Sequence, residues 1–148
     1  MARQEVPRLF FTKEEQEEIK RAVAETESKT SAEIVVRLER NCPGDPLVHC
    51  RDLLEALGIT HAKSRSGVIL FVSLEDHKVA VFGDIAVHRV LGNEHWEQLC
   101  GTIARGFKEG KPCEALCKAI RRIGDQLRGP LPRHKNDVNE LSDDLSIG

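Results

Sequence analysis

Residues 67–84 read Gly67-Val-Ile-Leu-Phe-Val-Ser-Leu-Glu-Asp-His-Lys-Val-Ala-Val-Phe-Gly-Asp84, and they decide the architecture of the whole chain. Val68 to Leu74 is a nearly continuous apolar run, the pattern of a strand covered on both faces. Glu75-Asp76-His77 is a tight polar turn, and Lys78 to Phe82 is the partner strand. A connection so short makes the two strands antiparallel neighbours. Gly83 and Asp84 close the second strand, and a short helix is predicted to follow Asp84 and end at Gly92.

Upstream, Glu33 to Glu39 (EIVVRLE) reads as a strand rich in branched residues. Cys42-Pro-Gly-Asp45 is a turn, and Pro46 opens a helix where its missing N–H costs nothing. Leu47, Cys50, Leu53, Leu54 and Leu57 are expected to form the buried side of that helix, with Gly58 as its stop. Strand, helix, strand implies a right-handed parallel crossover. Earlier still, Thr12-Lys-Glu-Glu15 is a capping box, leading a helix with Ile19, Ala22, Val23 and Thr26 on one stripe and an end near Ser28. Downstream, Asn93 can cap a longer helix carrying Trp96, Leu99, Cys100, Ile103 and Phe107. Pro112 starts the last helix, where Leu116, Ala119, Ile120, Ile123 and Leu127 repeat at helical spacing. The predicted class is α/β: a small mixed sheet, mostly parallel with one antiparallel strand, sandwiched between helices. Residues 1–128 form a single domain, and 129–148 a flexible acidic tail with prolines and little apolar content. No internal repeat is found.

A chain of 148 residues can bury a real core without staples. Its 40% hydrophobic and 31% charged content is that of an ordinary soluble globule. With 22 Lys and Arg against 24 Asp and Glu, net −2, electrostatics makes no case for nucleic acid or an anionic membrane. Lys118, Arg121, Arg122 and Arg128 lie on helical spacing and read as one solvated face. No run approaches the roughly 20 apolar residues of a membrane helix, and the first residues have no apolar stretch long enough for a secretory signal. Five cysteines, an odd number in apolar or helical contexts, fit reduced thiols in the cytoplasm.

The strand directions also predict a site. If the first two strands are parallel and the third returns, Glu33, the Arg65-Ser66-Gly67 entry and Gly83-Asp84 share one end of the sheet. The simplest role for Asp84 is the N-cap of the next helix, stabilising it by roughly 0.5–2 kcal/mol, with Gly83 permitting a tight turn. The second role makes Asp84 and Glu33 oxygen ligands for a hard cation such as calcium, with backbone carbonyls and water completing the shell. Arg65 opposes a cation there while pairing with Asp84. With Ser66 and Gly83, it is instead placed to support an anion. The opposite end holds Asn41, Asp45, Glu75, Asp76 and His77 at the carboxyl ends of the parallel strands, where ligands often bind. Asp45 reads as a helix cap, however, and Glu75 to His77 as a solvated turn. Asp84, His88, His95, Cys113 and Cys117 do not complete a zinc set. There is no nucleophile elbow, glycine-rich phosphate loop or Asp-x-Asp arrangement, so nothing supports an efficient hydrolase.

An ordered set of short stretches resembles the TPM-domain family, in its short bacterial branch. Thr30-Ser31-Ala32-Glu33-Ile34 after a Glu-rich helix is similar to its "T-S-G-E-I" opening. Ser66-Gly67-Val68-Ile69-Leu70 resembles its "R-N-G-V-L" strand entry, and Phe82-Gly83-Asp84 its "GD" turn. Trp96, Phe107-Lys-Glu-Gly110, Ile123-Gly124 and Asn139-Glu140-Leu141-Ser142-Asp143 fit as well, so the resemblance spans about residues 9–145. Ala32, Ser66 and Ile85-Ala86 depart from it. The resemblance implies an α/β sandwich and marks the Asp84 end over the opposite one. Relatives include thylakoid-lumen proteins linked to photosystem II repair, for which weak acid phosphatase activity has been claimed. Others are membrane-tethered receptor modulators and bacterial proteins that bind divalent cations, calcium especially. The expected function is therefore a weak divalent-cation- or protein-binding module, barely catalytic if at all. The alternative is a low-efficiency, metal-assisted acid phosphatase centred on Asp84. Ca2+ is the one cofactor implied. The partner is an unidentified protein, which the acidic tail (Asp137, Glu140, Asp143, Asp144) is a candidate to recruit.

Overall fold

The structure, a computed structural model, describes residues 3–58, 65–133 and 143–148. A short α1 (Pro7–Phe10) precedes α2 (Lys13–Glu27). The capping box at the start of α2 forms in full. The Glu15 amide donates to Thr12 Oγ1 (3.1 Å) and the Thr12 amide to Glu15 Oε1 (3.0 Å). Then follow β1 (Glu33–Glu39), α3 (Pro46–Ala56), β2 (Gly67–Ser73), β3 (Lys78–Gly83), α4 (Ile85–Lys108), α5 (Pro112–Leu127) and β4 (Ser146–Ile147). The class is as expected, a mixed α/β fold, with strand order β3-β2-β1-β4. β1 and β2 run parallel with Glu33 opposite Gly67. β2 and β3 run antiparallel with Val68 opposite Gly83.

Alternation along the strands separates two cores. Ile34, Val36, Leu38, Val68, Leu70, Val72 and Val81 face α2, α4 and α5. Val35, Ile69, Phe71 and Ala80 face α3 through Cys42, Cys50 and Leu54. Every residue of β2 is buried, which accounts for its unbroken apolar run. Among the described residues α3 is the only helix on its face, and it needs only a narrow buried stripe. Cys50 and Leu54 are fully covered, whereas Leu47 and Leu57, expected inside, are 50% and 38% exposed.

Two features of the sequence reading gain a different physical basis. The helical segment after β3 does break at Gly92, whose φ of 74° and ψ of 174° interrupt α4 without ending it. The tail is also partly built into the domain. Leu131 O accepts from Thr30 Oγ1 and from the Ser31 amide (3.0 Å). β4 adds a parallel edge to β1, pairing Ser146 with Arg37 and Ile147 with Leu38. The acidic tail positions Asp137 and Glu140 lie outside the described residues. No helix among the described residues is long and apolar enough to cross a membrane.

Candidate functional site

The strand directions bring the anticipated segments to one end of the sheet. Asp84 leaves β3 there, and its amide donates to Gly67 O (2.8 Å). Its carboxylate, with a side chain only 5% exposed, is fully engaged. Oδ2 accepts from Arg65 Nε (2.7 Å), while Oδ1 accepts from Arg65 Nη2 (2.9 Å) and from the Ile85 amide (2.8 Å). Asp84 is thus both the cap of α4 and one half of a two-pronged ion pair. Ser66 is buried and its hydroxyl donates to Ser31 O (3.0 Å). Its carbonyl accepts from the Glu33 amide (3.1 Å), so Ser66 ties the entries of β1 and β2 together. Gly83 serves packing rather than a turn. A Cβ there would come within 2.5 Å of Trp96 Cζ2, and the indole Nε1 donates to His88 Nδ1 (3.1 Å).

Glu33 and Asp84 share the sheet end, where the Asp84 carboxylate is taken by Arg65. β2 lies between their strands, which separates the backbones by two strand spacings, about 10 Å. On the other side of Glu33 the chain assembles a second group of carboxyls. Glu27, the last residue of α2, is 2% exposed. Its Oε2 accepts from the Ile34 amide (2.9 Å). Glu27 Oε1 and Asp143 Oδ1 are both buried, and among the described residues neither meets an N–H or hydroxyl donor. A proton on Glu27 would let its carboxyl donate to Asp143. Burial first, then the bond to Asp143 and the charges of Asp143 and Glu33, push the Glu27 carboxyl up to about 9. The register explains the meeting. Ser146 lies opposite Arg37, so three residues back Asp143 reaches the level of Ile34, whose amide Glu27 holds.

Glu27 did not stand out in the sequence as a site residue, and Asp143 stood out only among the acidic tail residues that are candidates to recruit a partner. The available signal for Glu27 is its place four residues after Val23 and eight after Ile19, on the buried stripe of α2. Asp143 sits in a segment without periodicity.

The remaining candidates are occupied structurally. At the opposite sheet end, Glu75 binds Arg40 (2.6 Å) and Asn41 (3.1 Å), Asp76 holds the Cys42 amide (2.9 Å) and the Ser73 hydroxyl, and Asp45 caps Leu47 (2.9 Å). His95 Nδ1 meets Leu91 O at 3.0 Å. Burial pushes the Cys50 thiol up to about 12 and raises Cys113 and Cys117 as well, so these thiols are poor nucleophiles. Among the described residues no group of three or more His, Cys, Asp or Glu is disposed to hold a metal ion.

Comparison with known proteins agrees with this frame. The model of the TPM domain matches residues 7–126. Among solved structures, the chain is similar to the BA42 protein of the psychrophilic bacterium Bizionia argentinensis. The two share 30% identity and a TM-score of 0.85, over 94% of this chain and 96% of that one. It also resembles the N-terminal domain of a P. gingivalis protein, at 17% identity and a TM-score of 0.71, over 85% and 83% of the two chains. That second likeness is one of fold. No curated protein matches.

Proposed function

This chain belongs to the TPM-domain family, and from that premise we propose that it is a weak divalent-cation-binding module whose ion sits at the Glu27–Asp143 carboxyl pair. The observation that carries this reading is the pair itself: two buried oxygens, from segments far apart in sequence, with no donor between them among the described residues. A hard cation is the natural replacement for a proton on that pair. Calcium takes oxygen ligands, and magnesium keeps several waters when held by one or two carboxylates. Glu33 adds negative charge close by. A shell with two protein carboxylates and the rest water is weak, in keeping with the lack of a larger ligand group among the described residues. Asp84 has no part in it, because Arg65 already neutralises that carboxylate and would repel an ion.

A calcium titration followed by amide NMR tests this. The Ile34 amide, bonded to Glu27, and residues 143–145 are expected to shift at millimolar calcium, and Glu27→Gln to abolish the response. Shifts that persist in Glu27→Gln, or no shifts at all, would refute the site.

Phosphomonoester hydrolysis finds less support. It needs an activated nucleophile or metal ions clamping the phosphate, whereas Asp84 is tied up and the buried thiols are raised. The purified protein is expected to turn over a generic phosphomonoester no faster than a mock preparation. Turnover lost in Asp84→Ala would establish the enzyme reading instead.

A further inference from the structure

β3 ends the sheet, and among the described residues it pairs with β2 alone. Residues of an antiparallel pair alternate between exchanging main-chain hydrogen bonds and turning them outward. The bond from the Asp84 amide to Gly67 O fixes which set is which. Phe82, Ala80 and Lys78 bond to β2, so the N–H and C=O of Val79, Val81 and Gly83 point away from the sheet. On that side lies a groove of about 860 Å3, within the range of ligand sites. β3 is its floor. Leu47 and Arg51 of α3 stand on one wall, and Ile85, Trp96 and Cys100 of α4 on the other. The helices covering the two faces of the sheet therefore bracket its open edge.

The groove retains apolar surface and, among the described residues, outward main-chain groups of Val79 and Gly83 with no hydrogen bond to a neighbouring segment. Leu47 and Ile85 are 50% and 47% exposed. The Val81 amide meets the Cys100 thiol, a weak acceptor that a peptide carbonyl would outdo. Edge strands are usually protected by proline or a projecting lysine. β3 has no proline, and its one lysine, Lys78, is anchored to Cys42 O (2.6 Å) and Gly44 O (2.9 Å). Arg65 lines the same groove at the Gly83 end. It uses Nε and Nη2 on Asp84 while its side chain stays 41% exposed, leaving Nη1 for a further anion.

We propose that the groove takes an extended peptide of a partner protein as an added strand on β3, with an acidic residue of that peptide held at the Gly83 end by Arg65. An extended chain matches the outward amides and carbonyls one for one. Its alternating side chains would meet Leu47 on one wall and Ile85 and Trp96 on the other. Neither Glu27 nor Asp143 takes part, so this site stands or falls apart from the cation site.

The test uses the full chain and a blocked hexapeptide of alternating valine and threonine with a terminal glutamate. Two further versions are N-methylated at one or the other alternate set of residues, which removes N–H groups and keeps every side chain. At about 1 mM peptide, the range of weak peptide sites, the Val79, Val81 and Gly83 amides are expected to shift and to exchange more slowly. One methylated version should bind like the parent and the other not at all, because only one set faces β3. Leu47→Glu, at an exposed position, should weaken binding while leaving the amide spectrum folded. Equal binding of both methylated versions would mean an apolar groove without strand pairing, and no response to the parent peptide would mean no site. Either overturns the proposal. So would shifts of these amides on concentrating the protein alone, since the occupant would then be a second copy of the chain.

Discussion

Glu27 has the most to say about pH. Burial and Asp143 push its carboxyl up to about 9 in the folded chain, against about 4.3 in an unfolded one. Between those values folding takes up a proton, so this group makes stability fall as pH rises from about 4.3 to 9, and adds no further slope above. Glu27→Gln imitates the protonated form and keeps an acceptor for the Ile34 amide. Thermal melts from pH 5 to 9 should be flatter in the variant, and at pH 9 it should be the more stable protein. An unchanged slope would place the proton elsewhere. At Asp84 the cap and the ion pair can be separated. Asp84→Ala is expected to lose about 1–2 kcal/mol in denaturant melts, while Asp84→Asn, which still caps, should lose less than about half of that. The guanidinium partner is too exposed for its pair to count for much. Gly83→Ala should cost roughly 1–3 kcal/mol through overpacking and alter the fluorescence of Trp96, the only tryptophan, because the new methyl strikes its ring.

Elements differ in how clearly they announce themselves. β1, β2 and β3 were legible because alternation and unbroken apolar runs report burial directly, and their directions followed from connection length. α2, α3 and α5 start where Thr12, Asp45 and Pro112 mark them. The reading failed where a contact is made by main chain or is simply left open. Ser146-Ile147 carries no strand pattern because β4 is held by backbone bonds, such as the Gly148 amide to Leu38 O (3.0 Å), and by Arg37 Nη1 to Ser146 Oγ (2.9 Å). Leu47 looked buried by spacing, yet it stands at the lip of the groove beside β3. Deleting residues 143–148 should destabilise the domain by roughly 1–3 kcal/mol, the worth of a few hydrogen bonds. It should also lower the Glu27 pKa by removing its Asp143 partner, which a pH titration of the Ile34 amide shift would report.

For the molecule as a whole, the sheet end was legible and the chemistry on it only partly so. Parallel β1 and β2 with a returning β3 had to bring Glu33, Arg65, Ser66 and Asp84 to one end. Which carboxylates meet there depends on strand order and on where the tail returns, and no local pattern encodes either. β2 keeps Glu33 away from Asp84, and β4 carries Asp143 back to Glu27. The result is the Glu27–Asp143 carboxyl pair, the ion site proposed above. Calorimetry of calcium binding at pH 7, in buffers of different ionisation enthalpy, tests this most directly, since it counts the protons released per ion bound. Displacement of the Glu27 proton predicts a release close to one, falling toward zero in Glu27→Gln as binding is lost. Calcium binding without proton release, or no heat of binding in the wild-type protein, would contradict it.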